Sequence, residues 1–298
     1  MTGRLALFAL LALQALPAVR PVMQAVQIPV VVRDGNRLVR DLQADDFVVS
    51  DAGVIQDIQA VSAESIAVDV TLIVSGGRGL QPREQMAIAE KLDRGVQQIA
   101  KMIGPRDALR VLRIDTFVEQ LRPMLPVTSE SGAIAIPRDA GVSSVHDALA
   151  AALMRHVPRD RRHFIVAITD AIDTMSFTTA ARVRDIAARS EAFLELVVVN
   201  PPAGRRQLTY ERPRFFEFDE ALLTEAAAAT GGELRGRKLF GTADPTSAFK
   251  RVFDEFKQSY VLRFTPRDVP VSGWHELSVS IPRKPGYTIR ARPGYFAP

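Results

Sequence analysis

Reactive side chains in this sequence are few, and their spacing narrows what they could do. The four histidines, His146, His156, His163 and His275, are scattered, and no H-x-x-x-H or H-E-x-x-H pair exists to grip a metal from one helical face. There is no cysteine, which removes thiolate catalysis, disulfides and thiolate-held zinc. Ser75 closes an apolar run and is followed by Gly76-Gly77-Arg78-Gly79. A nucleophile elbow would need G-x-S-x-G, and Ile73 and Val74 fill the preceding places instead. The same turn could hold an anion on backbone amides with Arg78 assisting, but a turn that only leaves a sheet edge needs no ligand. No G-x-x-x-x-G-K-[ST] phosphate loop is present. Among the carboxylates, Asp170 and Asp173 follow an apolar run and Asp147 begins a helical one. An Asp at a strand end commonly caps the next loop through backbone N–H groups, and Asp147 reads as local support. No catalytic residue and no cofactor are expected.

These residues need elements to position them. Val68 to Ser75 is a continuous apolar run, as for a strand buried on both faces of a parallel sheet. Pro82 to Met102 follows with apolar residues at helical spacing. Ala108–Ile114 and Phe117–Leu121 read as a strand pair, and a loop holding Pro123, Pro126 and Pro137 leads to a helix over Ser144–Arg155. Strand and helix then alternate: Phe164–Thr169, Thr178–Arg189, Phe193–Val199, Asp219–Ala229, a Gly231-Gly232 break, a short strand, and a helix over Pro245–Lys257. This alternation predicts an α/β fold, a doubly wound, mostly parallel sheet with helices on both faces, over residues 66–257.

The flanks have a different grammar. Val26–Arg33, Val48–Ser50 and Val54–Val61 read as strands around turns at Asp34-Gly35-Asn36 and Asp51-Ala52-Gly53, with a tight helical turn at 42–47. Ser259–Thr265, Trp274–Ile281 and Tyr287–Ala291 alternate as half-buried antiparallel strands do. Segments 26–65 and 258–298 are each too small to hold a core alone, so they are expected to pack together as a small β-sandwich into which the α/β domain is inserted.

At the start of the chain, Arg4 precedes the apolar run Leu5–Leu16, which is too short to span a bilayer and fits the h-region of a secretory signal within residues 1–25. A secreted or periplasmic location follows as an expectation, with no membrane span after signal removal. Hydrophobic residues at 47% are enough for a packed core, and the net charge of +4 is small for 298 residues. The densest basic stretch, Arg155 to His163, carries no interleaved aromatics for base stacking and reads as a solvated loop rather than a nucleic-acid surface.

Three stretches together resemble the bacterial VWFA-related family, whose core is a von Willebrand factor type A-like domain. They are Leu42-Gln43-Ala44-Asp45-Asp46-Phe47-Val48-Val49, the α/β core with Gly104-Pro105-Arg106-Asp107, Val145-His146-Asp147-Ala148-Leu149 and Ile168-Thr169-Asp170, and the ending Ser259-Tyr260-Val261-Leu262, Trp274-His275 and Arg292-Pro293-Gly294-Tyr295-Phe296. The resemblance implies a ligand site at the C-terminal edge of the sheet. In type A domains that edge holds a divalent ion through a D-x-S-x-S loop, a Thr on a second loop, and an Asp after the fourth strand. Here the loop aligns as Ser75, Gly77 and Gly79 with Arg78 adding a positive charge, the Thr position is Ser143, and the Asp is Asp170 with Asp173 nearby. Too few oxygens remain for a hard cation, so no metal is expected. The resemblance instead implies a protein-binding surface at Ser75, Gly77, Arg78, Gly79, Ser143 and Asp170. The alternatives are a metal-assisted adhesion domain that recruits Asp173 or a partner carboxylate, and, more remotely, an enzyme of unknown chemistry.

Overall fold

The computed structural model describes residues 24–62, 66–75, 82–114, 116–128, 143–158, 160–198, 219–236 and 245–297. Residues 1–23 of the segment expected to be a signal, and Gly76 to Gly79 of the glycine turn, lie outside the described residues. The N-terminal flank supplies β1 (Val26–Asp34), β2 (Arg37–Leu38), β3 (Val48–Asp51), β4 (Val54–Gln56) and β5 (Ala60–Ser62). There follow β6 (Ala67–Ser75), α1 (Pro82–Met102), β7 (Ala108–Ile114), β8 (Val118–Pro126) and α2 (Val145–Leu153). The core continues with β9 (Arg161–Thr169), α3 (Ala180–Arg189), β10 (Phe193–Val198), α4 (Glu220–Ala229), β11 (Glu233–Arg235) and α5 (Pro245–Lys257). The C-terminal flank adds β12 (Tyr260–Phe264), β13 (Gly273–Ser280), β14 (Thr288–Ala291) and β15 (Gly294–Ala297).

The central sheet runs β11-β10-β9-β6-β7-β8, parallel throughout except for the edge strand β8. Its strands are apolar on both faces because helices cover both. Val96 and Ile99 of α1 and Phe249, Val252, Phe253 and Phe256 of α5 pack on one side. Leu149 of α2, Val183 of α3 and Leu223 and Ala226 of α4 pack on the other. Phe164 begins an aromatic cluster, stacked on Phe256 at 4.5 Å between centroids and edge-on to Phe249 at 6.4 Å. The doubly wound sheet is therefore as the sequence predicts.

The flanks pair strand by strand across the chain. β1 lies between β12 and β14, and β12 pairs with β5. β13 pairs with both β3 and β15. A third core, with Ile28, Val30, Phe47, Val49, Tyr260, Leu262, Phe264 and Leu277, lies between these sheets. The Tyr260 hydroxyl donates to the Val39 carbonyl at 3.0 Å and accepts the Leu42 N–H at 3.1 Å, which fixes the N-terminal flank to the first C-terminal strand.

Four local expectations are corrected. Residues 54–61 do not form one strand: β4 pairs with β3 while β5 crosses to β12 in the other sheet. The strand expected at 117–121 runs on to Pro126 through Pro123, which is tolerated because β8 is an edge whose outer side needs no N–H. β15 was not foreseen at all, and Gly294 is what admits it. A Cβ there would stand 2.4 Å from the His275 carbonyl oxygen and 2.3 Å from the Trp274 ring, so only glycine lets the strand approach β13. Finally, the basic stretch at 155–163 is not wholly a solvated loop. β9 begins at Arg161, whose Nε donates to Asp69 at 2.5 Å, and Arg162 and His163 are buried within the strand.

Candidate functional site at the sheet edge

The chain turns its winding around at β6. β7 lies on one side of it and β9 to β11 on the other, so the C-terminal ends of β6 and β9 flank the crevice where open α/β sheets generally take ligands. Ser75 ends β6 and Thr169 ends β9. The Ser75 hydroxyl donates to Thr169 Oγ1 at 3.1 Å, and that oxygen also accepts the Ala171 N–H at 3.1 Å. Ala171 sits at φ 58, in the left-handed region, a conformation that costs about 1–2 kcal/mol for a residue with a Cβ. The bond from its N–H is one of the contacts that hold it there. The Asp170 carboxylate accepts the Ile172 N–H at 3.1 Å, an Asx turn that shapes the loop.

Ser143 and α2 come to the same edge from the other side of the loop. The Ser143 N–H donates to Thr174 Oγ1 and its carbonyl accepts the Thr174 N–H, each at 2.8 Å, while its own hydroxyl is buried without a hydrogen-bond partner among the described residues. Ser144 Oγ donates to the Thr116 carbonyl at 2.8 Å, tying in the β7–β8 turn. Asp173 uses both oxygens: Oδ2 accepts from the His146 N–H at 2.9 Å and from Ser176 Oγ at 2.5 Å, and Oδ1 accepts from the Ser176 N–H at 3.1 Å. Asp147 accepts the N–H groups of Phe177 at 3.0 Å and Thr178 at 2.9 Å. Residues 143–147 thus gather the β7–β8 turn, the loop from 170 to 178 and the start of α2 into one surface.

That surface carries large apolar side chains that the sequence reading missed. Phe117 is 75% exposed, Met175 48% and Phe177 97%. Each adjoins the residue 143–147 segment: Phe117 beside the tied Thr116, Met175 through its N–H to the Ser143 carbonyl at 3.2 Å, and Phe177 through its N–H to Asp147. The available signal was an aromatic in an otherwise polar loop, Ser176-Phe177-Thr178, where burial by a neighbouring strand is not indicated.

The oxygens at this edge do not fit the divalent ion that the type A resemblance implies. Such an ion wants about six oxygen ligands, with carboxylates among them. At the place of the first carboxylate stands Ser75, with its hydroxyl bonded to Thr169. Gly77 and Gly79 have no side-chain oxygen to offer. Asp173, the carboxylate that a metal-assisted reading would recruit, already accepts three hydrogen bonds from His146 and Ser176. Even with Asp170, which accepts the Ile172 N–H, and the Ser143 hydroxyl, the set stays short of six oxygens. Among the described residues no group of three or more His, Cys, Asp or Glu side chains is placed to hold a metal.

A second buried polar group, Asp51, His275 and Tyr295, sits between β3, β13 and β15. Asp51 Oδ1 lies 2.8 Å from His275 Nδ1, and Tyr295 donates to Asp51 Oδ2 at 2.7 Å. Asp51 and His275 are wholly buried and the Tyr295 hydroxyl that joins them is bonded to Asp51, so the group ties β3, β13 and β15 together away from solvent.

No family model matches the chain, and no curated protein matches it. Several solved structures are similar to it. One is a von Willebrand factor type A protein from Catenulispora acidiphila, 10% identical, with a TM-score of 0.49 and coverage of 91% of this chain and 73% of that one. Another is the conserved hypothetical protein BatB from Bacteroides thetaiotaomicron, 16% identical, TM-score 0.44, covering 64% of this chain and 98% of that one. A third is the manganese-loaded TRAP protein of Plasmodium vivax, 11% identical, TM-score 0.42, covering 85% and 100% respectively. These are likenesses of fold at low identity.

Proposed function

We propose that the chain is an exported protein-interaction module that binds its partner at the C-terminal edge of the central sheet without a metal ion. The observation that carries this reading is the apolar rim of Phe117, Met175 and Phe177, set around an edge braced by the Ser75–Thr169, Asp170–Ile172 and Asp173–Ser176 hydrogen bonds. Large aromatics left in water at a well-braced edge are the kind of side chain that anchors a protein interface. The proposed contact set is Ser75, Gly77, Arg78, Gly79, Ser143 and Asp170, with the three apolar residues added to it. Export rests on the sequence, Arg4 followed by Leu5–Leu16. No described helix is long and apolar enough to cross a membrane.

Affinity capture with the mature chain tests this, run with and without EDTA and repeated with Phe177→Asp and Met175→Asp. The expected result is a partner retained in EDTA and lost with both variants. Capture that fails in EDTA would favour the metal-assisted alternative, and capture indifferent to both variants would move the surface elsewhere.

A further inference from the structure

At the opposite end of the central sheet, where β9 and β10 begin, a cavity of about 430 Å³ opens between the α/β core and the flanking strands β1, β12 and β15. Its wall includes five arginines, Arg161, Arg162, Arg189, Arg263 and Arg292, against one carboxylate, Glu191. Arg161 is already paired with Asp69. Arg162 and Arg292 are buried, and among the described residues neither makes an ion pair. Arg162 donates to Ser259 Oγ at 2.6 Å and to the Phe256 carbonyl at 3.2 Å, its guanidinium stacks 3.8 Å over the Phe256 ring, and its Nε has no partner among the described residues. Arg292 donates to the carbonyls of Gly294 at 2.6 Å and Ala188 at 3.1 Å. Burial holds both guanidinium groups below the usual arginine value, with Glu191 opposing the shift only at Arg292. Arg189 lies 4.0 Å over the Phe296 ring and Arg263 is exposed on β12.

Buried cations are expensive unless paired, and carbonyl and hydroxyl acceptors neutralise no charge. The wall also holds the polar side chains of Gln24, Gln27, His163 and Tyr295, and an apolar part formed by Phe193, Val261, Pro266 and Val271 among others. A pocket of this size with an apolar body and a few convergent charges is the usual form of a small-molecule site. We propose that this cavity binds an amphipathic organic anion, a carboxylate or phosphate headgroup held by the arginines on an apolar body seated against Phe193 and Val271. Arginine forks suit both headgroups, so the apolar body and the single oxyanion define the class.

The test uses the mature chain and four probes in calorimetry: decanoate, decyl phosphate, decanol and inorganic phosphate. One or both amphiphilic anions should bind with 1:1 stoichiometry, weaken as salt is added and raise the melting temperature, and which of them binds tighter identifies the headgroup. Decanol and inorganic phosphate should each bind at least about ten-fold more weakly, the scale of one lost charged hydrogen bond. Arg263→Glu and Arg263→Gln change an exposed side chain and should leave the melting temperature of the unliganded protein unchanged. Both should weaken the anion, Glu more than Gln. Equal binding of decanol, equal binding of inorganic phosphate, no binding of either amphiphilic anion, or an affinity indifferent to both Arg263 variants would each overturn the proposal.

Discussion

Arg290 of the C-terminal flank reaches into the α/β core and donates to the carboxylate of Glu195, in the middle of β10, at 2.8 Å. Around that contact an ionic cluster is built: Arg235 pairs with Glu195 at 2.8 Å and with Glu255 at 2.9 Å, and Arg290 and Arg33 also pair with Glu255. Two carboxylates from the core and two arginines from the flanks therefore join the inserted domain to the strands around it. Burial pushes the Glu195 carboxyl up, opposed by Arg290 and Arg235. Burial acts the same way on Glu255, but there Arg235 and Arg290 prevail and its carboxyl is held below the usual range.

Arg290→Ala should accordingly cost about 3 kcal/mol at neutral pH, because it leaves buried carboxylate charge short of a partner. Arg33→Ala, which removes one partly exposed pair, should cost nearer 1 kcal/mol. The Arg290→Ala penalty should shrink as pH falls through the carboxylate range, since a Glu195 with a raised folded value is stabilised when protonated and loses that stability as pH rises. Urea melts of both variants at pH 7 and pH 4.5 measure this, and a loss below 1 kcal/mol for Arg290→Ala at pH 7 would refute it.

The central sheet was legible in the sequence because a strand covered on both faces must be apolar along its length, and β6, β9 and β10 are. Their charged members were not. Asp69 and Glu195 read as blemishes in apolar runs, since the arginines that neutralise them, Arg161, Arg235 and Arg290, lie far along the chain. The same long separation hid Arg162, whose stretch of charge looks solvated until Phe256 and Ser259 are folded against it. At the sheet edge the positions of Ser75 and Asp170 at strand ends could be inferred, because strand ends follow from the apolar runs. What those oxygens bond to could not, for it depends on how the loop from 170 to 178 folds back on Ser143 and Asp147.

His163 should make the protein acid-labile. Burial first, and then the positive charge of Arg155 with Asp69 opposing, lowers its pKa to about 3, while Nε2 bonds Thr71 Oγ1 at 2.8 Å. The unfolded chain takes up a proton near the ordinary histidine value, so stability present above that value is lost as pH falls from about 6.5 toward 3, by up to about 1.4 kcal/mol per unit. His163→Gln can keep a hydrogen bond to Thr71 without titrating. Its stability should depend less on pH across that window than the parent's, even if it is lower at pH 7. Parallel pH profiles would sink the assignment.

Tyr295→Phe removes the hydroxyl that donates to the buried Asp51 carboxylate at 2.7 Å. The expected cost is about 1.5–3 kcal/mol, the worth of a charged hydrogen bond. Burial, followed by the bond to Asp51 and its charge, pushes the Tyr295 hydroxyl above the ordinary tyrosine value. The parent should therefore lose stability as pH rises past about 10, where the unfolded tyrosine ionises first. In Tyr295→Phe that alkaline loss should be smaller, and denaturant melts between pH 8 and 11 would show it.

The metal site offers the sharpest test of how the sheet edge is built. Ser75 spends its hydroxyl on Thr169, Asp173 already accepts three hydrogen bonds from His146 and Ser176, and the sequence beyond Ser75 supplies glycines where the type A pattern has serines. Millimolar Mg²⁺ or Mn²⁺ should give no heat of specific binding, and EDTA should leave the melting temperature unchanged. A bound ion could not escape notice, because at a hundred times its Kd a ligand stabilises the native state by about 2.7 kcal/mol. The triple variant Ser75→Asp, Gly77→Ser, Gly79→Ser restores the carboxylate and two hydroxyls of the type A loop, to act with Asp170 and the Ser143 hydroxyl, which has no partner among the described residues. It should bind a divalent ion with 1:1 stoichiometry, and Asp170→Ala added to it should abolish that binding. An ion bound by the parent chain would show that the surviving oxygens suffice after all. A triple variant that ignores metal would mean that the glycine turn does not face Ser143 and Asp170, and the proposed partner surface would lose its Gly77–Gly79 side.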